Sequence, residues 1–439
     1  MKFQDCQHMK NKEIKTVVPK LRFPEFQKTE NWSIEPLENL YSFEITNSLT
    51  RDDLNYSNGS VKNIHYGDIH TKFSTLFDIT KEIVPYINDS LLPKKIKCYC
   101  KEGDMIFADA SEDLEDVGKS IEIINLNDEK VVAGLHTLFA RPKGNKLIVG
   151  FGGHLFLSKY LRLQIQREAQ GAKIYGISSK RLSKVKIYYP KSKEEQQKIA
   201  DCLSSIDNLI TSTVKKIEVL KAHKKGLVQQ LFPAKGKKVP VIRFPEFQDA
   251  GEWKEKTIQT IGEVVTGNTP SKNEKEFWGG NFVWITAQDF KDKYIYDSTL
   301  KLTEKGRKKL KVIPQNSILV TCIASIGLNG INKIECATNQ QINSVICYPD
   351  YDYEFVYYAI SYNNDRLKSL AGQTAVPIIS KSVFENFVIL ITEKKKEQQK
   401  IADCLSSLDD LITALTQKLE ALKTHKKGLM QQLFPDMTE

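Results

Sequence analysis

At 439 residues the chain exceeds what a single hydrophobic core usually supports, so two or more domains are expected. A hydrophobic content of 41% with 27% charged residues excludes a disordered chain, and eight cysteines without a Cys-x-x-Cys pair or zinc-like Cys/His spacing exclude a disulfide scaffold or zinc module. The excess of 64 Lys and Arg over 54 Asp and Glu, a formal charge of +10, fits a surface that meets phosphate and equally a solvated basic face.

No apolar run approaches the roughly 18 residues of a membrane helix. The first twenty residues lack the apolar stretch of a signal peptide. With the cysteines read as reduced thiols, a cytoplasmic protein without membrane contact is expected.

In chain order, the first recognisable segment is VPKLRFPEF at 18–26, which returns as VPVIRFPEF at 239–247. Each is followed at the same distance by a tryptophan, Trp32 and Trp253, an offset of 221. A second pair begins at Glu195 (EQQKIADCLSSIDNLITSTVKKIEVLKAHKKGLVQQLFP) and at Glu397 (EQQKIADCLSSLDDLITALTQKLEALKTHKKGLMQQLFP), an offset of 202. Between these constant segments the halves diverge, and the fall in offset makes the first variable region longer by about 19 residues. The predicted division is an N-terminal segment (1–30), a first variable domain (31–190), a helix (191–233), a linker (234–252), a second variable domain (253–392) and a final helix (393–439).

Both variable regions read as short strands and turns bounded by Gly, Pro, Asn and Asp, giving mixed α/β (α+β) domains of roughly 150 residues with no predicted strand order. KNIHYGDIH at 62–70 aligns loosely with NFVWITAQDF at 281–290, and EGDMIFADAS at 102–111 with PQNSILVTCIAS at 314–325. A helix is expected near each domain's end, over 155–167 and 355–370, before small-residue loops at 169–174 and 371–379.

Each long constant segment carries an apolar seam in alternating steps of four and three, the heptad signature. In the first copy it runs Ile199, Leu203, Ile206, Ile210, Thr213, Ile217, Leu220, Lys224, Leu227 and Leu231. In the second it runs Ile401, Leu405, Leu408, Ile412, Leu415, Leu419, Leu422, Lys426, Leu429 and Leu433. Some 39 residues at 1.5 Å rise would make a rod of about 58 Å, too long for one small domain to cover, so its twin is the expected partner. Connectivity brings the end of the first helix near the start of the second. An antiparallel coiled coil with a pseudo-two-fold axis and one variable domain at each end is therefore expected. Lys224 and Lys426 interrupt the seams at equivalent positions and are read as register-fixing residues rather than phosphate contacts.

The RFPEF, EQQKIADCL and GLVQQLFP/GLMQQLFP segments, bracketing two divergent domains, resemble the specificity subunit of type I restriction-modification systems over essentially the whole chain. The stretch TGNTPSKNEKEFWGGNFVWITAQDF (266–290) is similar to the opening of many target recognition domains in that family. The first half resembles another subtype through IHYGDI, IFADASED and GLHT. The resemblance implies a non-catalytic subunit with no cofactor of its own: each domain reads one half of an asymmetric bipartite target in double-stranded DNA, and the helical rod sets the gap. It also implies two modification subunits carrying S-adenosylmethionine and two ATP- and Mg-dependent restriction subunits as partners. Two domains spaced by about one helical turn, roughly 34 Å, can address one face of a duplex.

Gly118-Lys119-Ser120 mimics the end of a phosphate-binding loop, but Asp113 stands where that motif needs glycine. No Asn-Pro-Pro-aromatic segment of an amino-methyltransferase appears, Pro349-Asp350 lacks a following Glu-x-Lys, and the histidines form no metal-ligand spacing. The candidate DNA-reading residues are polar, basic and aromatic side chains of loops: Lys62, His65, Tyr66, Lys72, Lys173 and Tyr175 in the first domain. In the second they are Thr269, Ser271, Lys272, Gln288, Asn339, Gln340, Gln341, Gln373 and Thr374. The rival from another class is a coiled-coil adaptor joining two protein partners without touching DNA.

Overall fold

The computed structural model describes residues 18–91, 98–371 and 376–435. The chain divides into two compact units, Met1–Thr213 with Lys418–Glu439, and Val214–Gln417. Two helices of 39 residues, Lys193–Leu231 and Lys395–Leu433, are each shared between them. Each unit thus contains one variable region, the first half of one long helix and the last half of the other.

In the first unit Ile199 and Leu203 share a core with Leu433, Phe434 and Trp32, and Leu429 packs against it. Four residues beyond Leu203, Asp207 Oδ1 meets Nζ of Lys426, which stands three residues before Leu429, at 2.5 Å. As one helix is followed forward its neighbours come earlier in the other, so the pair is antiparallel. The second unit repeats this with the helices exchanged: Ile401 and Leu405 join Leu231, Phe232 and Trp253, and Lys224 meets Asp409 at 2.5 Å. Ile206, Ile217 and Thr213 are buried, and Ile210, Leu220, Leu227, Leu408, Ile412, Leu415, Leu419, Leu422 and Leu429 partly so, while Leu209, Val219 and Leu411 off the seam are exposed. The two seam lysines are engaged by carboxylates of the opposite helix.

The RFPEF repeat is the lock of each unit. Arg22 donates through Nε and Nη2 to the two oxygens of Glu195, both at 2.7 Å, and Trp32 Nε1 donates to the same carboxylate. Arg243 grips Glu397 equally, at 2.6 and 2.8 Å, with the Thr392 hydroxyl in place of the tryptophan. Beside each clamp the main chain crosses to the other helix: Leu21 N donates to Gln432 O and Ile242 N to Gln230 O. The next residue of each helix also binds main chain. Gln196 accepts from Ile148 N and donates to Lys146 O and Pro190 O, and Gln398 accepts from Asp352 N and donates to Thr392 O.

The variable regions differ in sequence yet share a strand order. In the first, a five-stranded sheet runs Tyr41–Glu44, Thr137–Pro142, Met105–Ala108, Ser120–Asn125, Leu76–Asp78; in the second, Gly262–Thr266, Ile342–Cys347, Ile318–Thr321, Asn329–Asn332, Tyr294–Ile295. Both are antiparallel except for the last pair, which is parallel in each. A second sheet places Lys62–Ile64 between parallel Val131–Ala133 and antiparallel Tyr86–Ile87. Its counterpart places Trp278–Ile285 between parallel Ala337–Thr338 and antiparallel Leu300–Leu302. The longer first region adds Leu54–Asn55 to that sheet's edge. The alignments of 62–70 with 281–290 and of 102–111 with 314–325 fall on equivalent strands.

The helix expected over 155–167 is two, Phe151–Phe156 and Lys159–Glu168, because Ser158 is extended (φ −60°, ψ 141°). That expected over 355–370 divides at Asn363 into Tyr353–Tyr362 and Asn364–Lys368. A residue of each first piece meets the neighbouring long helix: His154 Nε2 lies 3.1 Å from Ser204 Oγ, and Tyr358 OH donates to Asp409 at 2.6 Å.

Replacing Arg22 by Ala would leave the Glu195 carboxylate buried beside an empty site. A loss of about 3–5 kcal/mol is expected, read as a lowered urea midpoint. His154 is fully buried, and burial pushes it down to about 4. The unfolded chain therefore takes up its proton first, so the contribution of this group is complete above about 6.5 and is lost as the pH falls toward 4. The stability advantage of the wild type over His154→Gln is expected to shrink by roughly 3 kcal/mol across that window, measured by urea unfolding at successive pH values.

Candidate nucleic-acid interface

In each variable region four loops are tied together by the same main-chain bonds. In the first, Gly134 N donates to Ile64 O, Asp109 N to His136 O and Ile177 N to Asp109 O. In the second, Asn339 N donates to Ile285 O, Cys322 N to Gln341 O and Ile379 N to Cys322 O. The strand registers Thr137↔Ala108 and Ile342↔Thr321 fix the correspondence, which sets 134–136 against 339–341 and 65–68 against 286–289. Tyr175–Gly176 pairs with Ala110–Ser111 as Ile378 bridges Ile323. The frame is main chain, so the side chains standing on it are free to differ, and they do.

The first frame carries rings and charges. His65 caps the helix Tyr66–Thr71 by accepting from Gly67 N, and its ring lies 4.7 Å from that of Tyr66, which also meets His136 at 5.3 Å and His70 at 6.3 Å. Arg51 forks onto Asp68 at 2.8 and 3.0 Å and Lys72 adds a 2.9 Å contact to the same carboxylate, over the Tyr56 ring. Burial pushes the Asp68 carboxyl up, but these two cations hold it below its ordinary value. Burial, then the charge of Arg51, lowers His65. Burial raises Asp109, which faces His136 at 3.3 Å.

The second frame carries amides. Thr269 donates to Gln340 Oε1, Asn339 Nδ2 donates to Gln341 Oε1, and Asn339 Oδ1 accepts from Gln341 N. The loop holding Thr269 is seated by Asn268 N on Thr338 O, with Trp284 and Trp278 donating to the carbonyls of Asn268 and Ser271. Gly267 must be glycine, since a Cβ there would stand 2.2 Å from Thr338 Oγ1 and 2.3 Å from Asn339 O. Gln288 sits exposed on a turn whose Thr286 and Asp289 form a capping box, Asp289 also accepting from Thr299 N and Oγ1.

His65, Tyr66 and Lys72 are thus brought together, as are Thr269, Asn339, Gln340 and Gln341. Tyr175 is half-buried on the ribbon, Lys173 is exposed at its tip, and Ser271 and Lys272 are exposed on the 268–272 loop. Lys62 is occupied by Glu129 at 2.6 Å and lies over Tyr86. Gln373 and Thr374 lie outside the described residues. Sequence reading passed over Arg51, Asp109, His136 and the Thr286/Asp289 box. The Thr-x-x-Asp spacing was visible as a capping signal, whereas the Arg51 and Asp109 contacts need the fold. Among the described residues no group of His, Cys, Asp and Glu is placed to hold a metal ion, and no helix is long and apolar enough to cross a membrane.

The family described as the type I restriction modification DNA specificity domain matches this chain twice, at residues 30–222 and 250–424. The chain belongs to that family, as a non-catalytic specificity subunit of a type I restriction-modification system. It is similar to the type I restriction enzyme MjaX specificity subunit of Methanocaldococcus jannaschii, 28% identical over 92% of this chain and 93% of that protein. To the MjaIX specificity subunit of the same organism it is 35% identical over 42% of this chain, spanning 44% of that relative. Its fold matches the crystal structure of a type I restriction-modification system S subunit from M. genitalium with TM-score 0.63 at 16% identity, covering 96% of this chain and 100% of that one.

Asp289→Ala removes four bonds that hold the 286–289 turn. A loss of about 1–2 kcal/mol is expected, with amide exchange at 286–289 accelerated while exchange at 65–68 is unchanged.

Proposed function

We propose that the chain reads an asymmetric bipartite target in double-stranded DNA, one half-site per variable domain, with residues 31–190 and 253–392 as the recognition domains. The observation that carries this reading is the repeated loop frame: one main-chain scaffold displays rings and cations in one domain and amides in the other. Asn and Gln amides match the adenine edge, and Arg, Lys, His and Tyr match guanine acceptors, phosphate or stacked surface. His65, Tyr66, Lys72, Lys173 and Tyr175, with Thr269, Ser271, Lys272, Gln288, Gln340 and Gln341, are the proposed contacts. Lys62 and Asn339 serve the same surface by holding its loops, and Gln373 and Thr374 complete the proposed set. The paired helices act as the ruler for the spacer. Two modification subunits bearing S-adenosylmethionine and two restriction subunits using ATP and Mg complete the complex, in the cytoplasm.

Exchanging residues 31–190 for those of another family member, in the complex with its methyltransferase, is expected to change one half of the methylated motif and leave the other intact. A change in both halves would refute one domain per half-site. Duplex affinity should also fall linearly with salt on logarithmic axes. Salt-independent association, or no duplex binding at all, would favour the protein-joining adaptor.

A further inference from the structure

We propose that His136 is a specificity-determining residue of the first domain, reading a base-pair edge from the loop equivalent to the amide loop of the second. The proposal rests on the DNA-reading function above. His136 has φ +55°, the left-handed region that few non-glycine residues occupy although histidine does so more readily than most, and the frame bond from Asp109 N to its carbonyl holds it there. Such an outlier persists only where surrounding structure enforces it, and these outliers cluster at ligand contacts. Its side chain is 51% exposed, so no packing explains the conformation.

The ring is aimed rather than loose. Nδ1 lies 3.3 Å from Asp109 Oδ1, an ion-pair contact without hydrogen-bond alignment, and the Tyr66 ring meets the imidazole edge-on. Nε2 has no partner among the described residues and is the nitrogen left for a base. It can accept from an exocyclic amino group or donate to O6 or N7, according to which ring nitrogen carries the proton. His70 Nδ1, in the helix Tyr66–Thr71, and Asn63 Nδ2, in the strand Lys62–Ile64, are buried without a hydrogen bond. In the second domain the corresponding positions, 339–341, are Asn-Gln-Gln, so each domain presents hydrogen-bonding side chains at this point of the frame.

The test uses the full chain assembled with its methyltransferase subunit, and sequences the modified positions in DNA for wild type, His136→Asn, His136→Gly and Gln340→Ala. Asn and Gly both tolerate positive φ. The expected result is a roughly tenfold or greater loss of preference at one base pair of one half-site for either His136 variant, with the other half unchanged. Gln340→Ala should alter only the opposite half. An unchanged motif in both His136 variants, or loss of all modification in both, overturns the proposal. Failure of the wild type to modify any bipartite motif would instead overturn the DNA-reading function.

Discussion

Two buried guanidinium–carboxylate pairs, Arg22 with Glu195 and Arg243 with Glu397, are the constraint on which each unit depends. A buried ion pair offsets its desolvation only when its geometry is good and its remaining hydrogen-bonding sites are filled. Here the fork is bidentate and each carboxylate takes a third donor, the Trp32 indole or the Thr392 hydroxyl. The clamp also carries the neighbouring residue's N–H onto the last turn of the opposite helix. One interaction therefore fixes where a helix starts, where the other ends, and that they run oppositely. The Lys426–Asp207 and Lys224–Asp409 pairs then set the register.

With those ends held, the variable regions have one task that sequence must not disturb and another that it must be able to change. The first is met by main-chain pairing: strand order and loop-to-loop bonds recur although the side chains do not. The side chains outside that pairing are the part left free to change: Tyr66 and His136 stand on one frame, Gln340 and Gln341 on the other. A scaffold of backbone bonds accepts substitution on its surface at little cost in stability.

What was legible in the sequence follows the same division. The heptad seams and the constant segments could be read because their signals are local and periodic. The strand order could not, since it depends on pairings such as Lys62–Ile64 with Val131–Ala133, distant in sequence and short. The same distance hid the partner of Lys62: it resembles a loop cation until the parallel register brings Glu129 beside it. His136 reads only as part of the GLHT stretch for a related reason, because one histidine after a short strand carries no mark of its left-handed backbone or of Asp109. The single expected helices failed at Ser158 and Asn363, polar residues that favour helix ends over interiors.

The contacts of His154 and Tyr358 carry the division one step further. Each long helix carries the same serine and aspartate, Ser204 with Asp207 and Ser406 with Asp409: His154 meets the serine on the first side, Tyr358 the aspartate on the second, and each aspartate is held by a lysine of the opposite helix. One region enters with an imidazole and the other with a phenol, flanked by Lys293 and Glu354. The socket is built from constant residues and accepts unlike polar plugs from the two variable regions. Its cost is local: a buried imidazole with one unpartnered nitrogen on the first side, and a charged network that must stay fully paired on the second.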